Sequence, residues 1–397
     1  MKPLRVAILT TDKREHDRRY ADPAAAFGAA PEALLQGLAG LGGVEVHVVT
    51  CTQQPMVSPD KLADNIWYHS LLVPKTGWMR TLYQGCIRAT RKKLRELQPD
   101  IVHGQGTERD CAISAVLGGF PNVITLHGNM NAIAQLHGSR PGTFQWLAAR
   151  LENFTLPRTG GIICISEYVQ ELVSKYRVPT WVVPNAIQKT YFDLPRVARP
   201  IRARPQLVNV GVISERKGQV ELLAMLARLR RAGLAFDTVF VGAPAPGGEA
   251  YFQKFSRELA AADRELGGFQ HLNQLDAAGV CQLLDEAAAM IHFAREETFG
   301  LTFAEAIARG LYLFAAEVGA IRSIARGVAG VQILPVDDWA GLETAVREWL
   351  LAGGAQASRP AQPPTEFREV FHPEGVARRH VEIYREVLRK RAAGGRR

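Results

Sequence analysis

Twice along its 397 residues the chain runs through the same alternation of short apolar, β-branched runs and stretches of helical periodicity. In the first half the runs are "RVAILTT", "VEVHVVT", "DIVHG", "NVITLHG", "GGIICIS" and "TWVVPNA". Helix patterns separate them: "PEALLQGLAGL" with Pro31 in its first turn, a segment over 78–97, one from Asp110 and one over 143–154. Continuous apolar runs, rather than alternating ones, are what strands show when helices cover both faces of a parallel sheet. The pattern lapses over "QKTYFDLPRVARPIRARP", where proline and arginine dominate, and then resumes. The second set of runs is "QLVNVGVI", "FDTVFVGA", "FQHLNQ", "AAMIHFA" and "LYLFAAE", with helix patterns between them and a closing helix "GVARRHVEIYREVLRKRA". The expected fold is two α/β doubly wound domains, 1–186 and 187–375, with a last helix within 376–397. In such sheets ligands lie outside the carboxyl ends of the strands, and two domains facing one another would place a site in a central cleft.

Composition narrows the function classes. The five cysteines are odd in number and scattered, without a C-x-x-C, so neither a disulfide framework nor a zinc site is expected. A net charge of +9 suits an anionic partner, but no recognition module or aromatic-interleaved basic stretch points to nucleic acid. The opening "MKPLRVAILTT" reads as a strand rather than a leader, and no apolar run approaches the length of a membrane span. A cytoplasmic protein is expected. The basic segment "MRTLYQGCIRATRKKLREL" is either a solvated helix face or a contact for anionic lipid at the inner face of a membrane.

The chemistry concentrates in "EETFGLTFAEAIARG". A strand ends before it, a helix starts near Gly300, and Gly310 stands where a helix stops. The unpaired N–H groups of that helix start attract an anion such as phosphate, and Gly300 lets backbone approach it closely. Glu297 and Glu305 suit another task, accepting hydrogen bonds from sugar hydroxyls. A second patch, "NVGVISERKGQVELL", puts Arg216 and Lys217 at another strand-to-helix turn, where they can clamp a diphosphate. A nucleotide sugar offers both a diphosphate and flanking hydroxyls.

These residues resemble the retaining glycosyltransferases of GT-B fold, family 4 type. Glu297 and Glu305 with Phe299-Gly300-Leu301 are similar to that family's E-x7-E motif, and Gly211 with Lys217-Gly218, "VITLHG", "ICISEYV" and "VVPNAI" follow in the family's order. The resemblance implies two Rossmann-like domains, a metal-independent hexosyltransferase with no cofactor beyond its nucleotide-diphosphate sugar, and an acceptor that is a glycan, a lipid-linked glycan or a small molecule of cell-envelope polysaccharide assembly. It implies that Lys217 holds the donor diphosphate with Gly300 and Leu301, that Glu305 meets the ribose and Glu297 the donor sugar, and that His127 faces the reacting carbon. No D-x-D occurs in the chain, which speaks against a metal-dependent transferase of the other main fold.

The chain departs from the family at three places. Val212 stands where an arginine is usual, with Arg216 as a substitute cation, and "VGAIRSI" carries Ala320 and Ser323 where glycine and glutamate are common. Gly28 is the nearest counterpart of a first-domain glycine loop. On the acceptor side the residues singled out are Gly28, Arg18 and Arg19 in the 12–29 loop and Glu108 and Arg109 in "DIVHGQGTERD". Two other readings stay open: a sugar-nucleotide epimerase on the same architecture, and a non-catalytic nucleotide-sugar-binding protein.

Overall fold

The computed structural model describes residues 2–136, 138–198, 200, 202–354 and 364–394. The chain divides into two compact units, one of residues 1–188 and 370–397 and the other of residues 189–369.

The first unit is an eight-stranded sheet built from β1 (Leu4–Leu9), β2 (Val44–Thr52), β3 (Lys61–Ala63), β4 (Ile66–Leu72), β5 (Ile101–Gln105), β6 (Asn122–Leu126), β7 (Ile162–Cys164) and β8 (Thr180–Val182). Their order is β3-β4-β2-β1-β5-β6-β7-β8, parallel except for the β3–β4 pair. Strand order reverses direction between β1 and β5, which lie side by side with Val6 opposite Ile101. The core collects Val6, Ile8, Leu34, Leu38, Val46, Val48, Ile101 and Val123. Val376, Ala377, Val381, Ile383 and Tyr384 of the closing helix Pro373–Gly394 join the same cluster. That helix lies on Ala29–Ala39 so closely that a Cβ on Gly37 would stand 2.0 Å from the Pro373 carbonyl oxygen.

The second unit has six parallel strands: β9 (Gln206–Val210), β10 (Asp237–Val241), β11 (Phe269–Leu272), β12 (Ala289–His292), β13 (Tyr312–Ala316) and β14 (Val331–Leu334). They run in the order β11-β10-β9-β12-β13-β14. This is a doubly wound order, with its reversal between β9 and β12. The proline- and arginine-rich segment is part of this unit. Buried Arg309 pairs with Asp285 and donates to the carbonyls of Tyr191 and Leu194, fastening that segment down.

Two expectations change, and one strand is additional to those expected. "IWYHSLL" forms β4, although His69 and Ser70 interrupt its apolar run and only Ile66 and Tyr68 are buried. The helix expected over 78–97 starts at Gln84, because Leu82 and Tyr83 take left-handed backbone at φ 51° and 61° and two short 3₁₀ turns precede them. The 12–29 segment is partly helical over Lys13–Asp17 and firmly held. Its fully buried Arg14 pairs with Asp12 and donates to the carbonyls of Asp22 and Val57. Among the described residues no helix is long and apolar enough to cross a membrane.

Candidate functional site

In the second unit the loops following β9 and β12 emerge next to each other, because those strands are neighbours at the reversal. The first loop makes a short turn, Glu215–Lys217, and enters helix Gln219–Arg231 through Gly218 at φ 67°. The second runs to Gly300 at φ 94° and enters helix Leu301–Ala308. Backbone stitches them together: Arg295 N–H donates to the Arg216 carbonyl at 2.9 Å, and the Arg216 guanidinium returns a bond to the Glu296 carbonyl at 3.0 Å. Lys217 Nζ donates to Glu297 Oε2, both side chains being mostly buried. His292 Nε2 stands 3.5 Å from the same oxygen. A Cβ on Gly300 would sit 3.6 Å from Glu297 Cγ, so the cation, the acid and the helix start share one locality.

The two glutamates of the motif lie in opposite electrostatic settings. Burial by itself would raise the Glu297 carboxyl, but His292 and Lys217 more than reverse this and hold it well below the usual carboxylate range. Glu305 is 7 % exposed and its neighbour is the Tyr191 hydroxyl. Burial pushes its carboxyl up to about 7, and Tyr191 draws it down only in part. Glu297 is therefore a fixed anion at neutral pH, whereas Glu305 titrates there.

The departures from the family pattern have a local geometry. Val212 is 45 % exposed, and its carbonyl accepts from Gln219 Nε2 at 3.1 Å. Arg216 serves as a loop staple through Glu296. Gly319 has φ 52°, and a Cβ there would stand 1.9 Å from the Glu297 carbonyl oxygen, so the loop after β13 presses on the catalytic candidate's own backbone. Ser323 closes the single helical turn Ile321–Ile324 by donating to the Ala320 carbonyl at 2.8 Å. Phe299 is buried beside this arrangement in sequence, 4 % exposed.

In the first unit His127 follows β6. Its Nε2 lies 2.7 Å from Gln105 Oε1 and its Nδ1 3.1 Å from Asn185 Oδ1. Burial lowers its pKa to about 4, so the ring is neutral and its one N–H donates to one of these two amide oxygens. In the same unit, buried Glu152 accepts from Thr107 Oγ1 at 2.6 Å and from Met130 N at 2.9 Å, tying the loops after β5 and β6 together. Of the acceptor-side residues, Arg18 and Arg109 line one cavity of about 680 Å³. Arg19 does not; it pairs with Asp17 and Asp22. Glu108 folds back over Gly106, and its carboxylate oxygens would lie within 2.5 Å of a Cβ there. Gly28 caps helix Ala29–Ala39 without lining that cavity.

Sequence reading missed His292, Tyr191, Gly319 and Glu152. His292 closes an apolar strand and looks like core; the others lie far along the chain from the residues they support. All five cysteines are reduced and buried. Cys51, Cys86 and Asp110 place their ligand atoms within 4.8 Å of one another, the one such grouping among the described residues. Contact with Cys86 and burial push the Cys51 thiol up, and burial raises the Asp110 carboxyl.

Comparison with known proteins follows this division of the chain. Residues 32–190 match the model for Glycosyltransferase Family 4, and residues 196–361 match that for Glycosyl transferases group 1. No curated protein sequence matches. Sucrose-phosphate synthase from Thermosynechococcus elongatus superposes with a TM-score of 0.76 at 18% identity, over 98% of this chain and 100% of that one. Anabaena HepE in complex with UDP-glucose gives 0.69 at 14% identity, over 96% and 100% of the two chains. A glycosyltransferase from Rickettsia africae gives 0.68 at 14%, over 98% and 99%. At such identities the likeness carries the fold.

Proposed function

From a chain that belongs to the family 4-type glycosyltransferases of GT-B fold, we propose a retaining, metal-independent enzyme that moves a hexose-type sugar from a nucleotide-diphosphate sugar to a hydroxyl acceptor. The observation that carries this reading is the Lys217–Glu297 pair beside the Gly300 helix start, at the strand reversal of the second unit. The HepE structures hold UDP and UDP-glucose, which supports a nucleotide-sugar donor here.

In this reading each residue has a charge-based task. As the glycosidic bond breaks, negative charge grows on the departing diphosphate and the sugar becomes oxocarbenium-like. Lys217 and the N–H groups of Gly300 and Leu301 meet that charge where it develops. Lys217 has three donors, so it can keep Glu297 while engaging a phosphate oxygen. Glu297, permanently ionised, accepts from donor-sugar hydroxyls, and Glu305 accepts from the ribose in exchange for Tyr191. His127, held by Gln105 and Asn185, is the first unit's candidate to meet the reacting sugar. The lysine and helix start perform the electrostatic role that a metal fills elsewhere, so no ion is assigned to the step.

Calorimetric titration with UDP, GDP and ADP tests the site. Lys217→Ala and Glu305→Ala should each weaken the preferred diphosphate by about 1.5–3 kcal/mol, the worth of a charge-assisted hydrogen bond. Unchanged affinity in both variants removes the assignment. Incubating the donor with and without an acceptor then separates a transferase from an epimerase, which converts the sugar nucleotide alone.

A further inference from the structure

The first unit shares one feature with the second: its strand order reverses between β1 and β5, and loops from both strands emerge there. The cavity of about 680 Å³ opens at that place. Its walls come from the segment after β1 (Glu15, Arg18, Tyr20), from Arg109 after β5, and from the turn between β4 and helix Gln84–Leu97 (Lys75, Trp78, Arg80). The size suits a ligand of one or two sugar rings.

The lining has a marked imbalance of charge. Arg18, Lys75, Arg80 and Arg109 face it, against one acid, Glu15. Glu15 is already engaged, accepting from the Gln53 N–H at 2.9 Å and from the Tyr20 hydroxyl. His16 is turned to Asp17. Arg109 rests on the Trp78 ring at 5.0 Å and feels the charges of Glu108 and Asp110. No carboxylate among the described residues forms an ion pair with Arg18, Lys75 or Arg80. Like charges gathered around one hollow repel each other unless an anion joins them.

The turn that presents Lys75 and Arg80 is rigidly set. Gly77 and Gly85 touch, so that a Cβ on Gly85 would lie 2.6 Å from Gly77 Cα. Trp78 donates its indole N–H to the Val73 carbonyl at 3.0 Å. Leu82 and Tyr83 hold left-handed backbone, costly for side-chain-bearing residues, with Tyr83 packed edge-on against Trp78. Strain of this kind persists only where packing over-determines it, so the backbone that carries the two cations is positioned in advance.

We infer that this cavity is the acceptor site and that the acceptor is a carbohydrate or prenyl carrier bearing a phosphate ester. A phosphate brings up to two charges and three acceptor oxygens, which guanidinium forks and an ammonium can share from several directions. Tyr20, Trp78, Met79 and Phe144 supply apolar faces for the attached group. The word acceptor rests on the transferase reading; the anion site stands on its own geometry. The phosphate can belong to a soluble sugar phosphate or to a lipid carrier. The second source has a physical route, since helix Gln84–Leu97 leads from the cavity wall with Arg88, Arg91, Lys92 and Arg95 exposed.

The test uses the full chain and Lys75→Ala/Arg80→Ala, both substitutions at exposed positions. Glucose 6-phosphate should bind the unmodified chain at least about tenfold tighter than glucose, and the double variant should erase that preference, since the charge-assisted bonds are lost. In the lipid arm, phosphatidylcholine vesicles with and without a polyprenyl phosphate are sedimented with the protein. Retention that needs both the phosphate and the two cations assigns the lipid source. Equal affinity for glucose and its phosphate, together with vesicle binding indifferent to the substitutions, overturns the proposal. A UDP titration of the unmodified chain scores the donor reading separately: UDP binding with no phosphate preference sinks the cavity alone, and the reverse sinks the transferase alone.

Discussion

Both units place their polar residues at the same topological position, the reversal of strand order, yet they treat charge in opposite ways. In the second unit the cation and the acid are side by side: Lys217 meets Glu297, with His292 nearby. In the first unit Arg18, Lys75 and Arg80 stand around a wide hollow without such partners among the described residues. A neutralised pair keeps its geometry before any ligand arrives, and it suits a site where charge appears during reaction. An uncompensated cluster, by contrast, is complementary to a charge the ligand already carries. The difference teaches that topology chooses where a ligand sits, while the local balance of charges chooses what the ligand is.

The strongest way to break that contrast is Gly319→Val. The substitution forces a side chain into left-handed backbone against the Glu297 carbonyl oxygen. The expected loss of stability in the second unit is on the order of 3 kcal/mol, and UDP binding should vanish while glucose 6-phosphate binding survives. Thermal melts with each ligand check it; equal loss of both ligands would mean the two sites are not separable.

Next in size is a pH effect. Between the ordinary carboxyl pKa of 4.5 and about 7, folded Glu305 keeps a proton that the unfolded chain releases. Stability therefore falls as pH rises through that window, by about 3 kcal/mol in total. Glu305→Gln should flatten this part of the curve in denaturant titrations from roughly pH 5 to pH 8. Glu297 acts with the opposite sign: its depressed carboxyl adds stability present above 4.5 and lost only in stronger acid. A slope unchanged by Glu305→Gln would show that the carboxyl is better solvated than its 7 % exposure suggests.

Glu297→Gln sharpens the comparison inside the proposed donor site. It removes the anion while leaving Lys217 free for phosphate. Turnover should fall about a hundredfold, the usual scale for one preorganised electrostatic contact, with UDP affinity held or raised. Weaker UDP binding would instead make Glu297 a binding residue. The smallest effect belongs to Arg216→Ala. Its guanidinium is exposed and bonded to a backbone carbonyl, so UDP affinity should change by less than about 1 kcal/mol. A larger loss would restore Arg216 as the replacement cation for Val212.

Some of this was legible in the chain alone. Apolar runs of strand length between helical periods determined two largely parallel sheets, because a strand buried on both faces needs apolar residues at every position. The helix start at Gly300 and its end at Gly310 were equally readable, since left-handed turns favour glycine. Strand β4 was not, because only Ile66 and Tyr68 are buried and His69 and Ser70 break its apolar run. Tertiary structure alone decided the rest. Lys217 and Glu297 stand 80 residues apart in sequence, and only the neighbouring of β9 and β12 brings them together. Glu297 and Glu305 are the same residue type in one motif, yet burial with or without a cation sets one low and the other near 7. A pattern of residues records which groups are present; electrostatic free energy depends on the distance between them and on the water excluded around them, and both are properties of the folded chain.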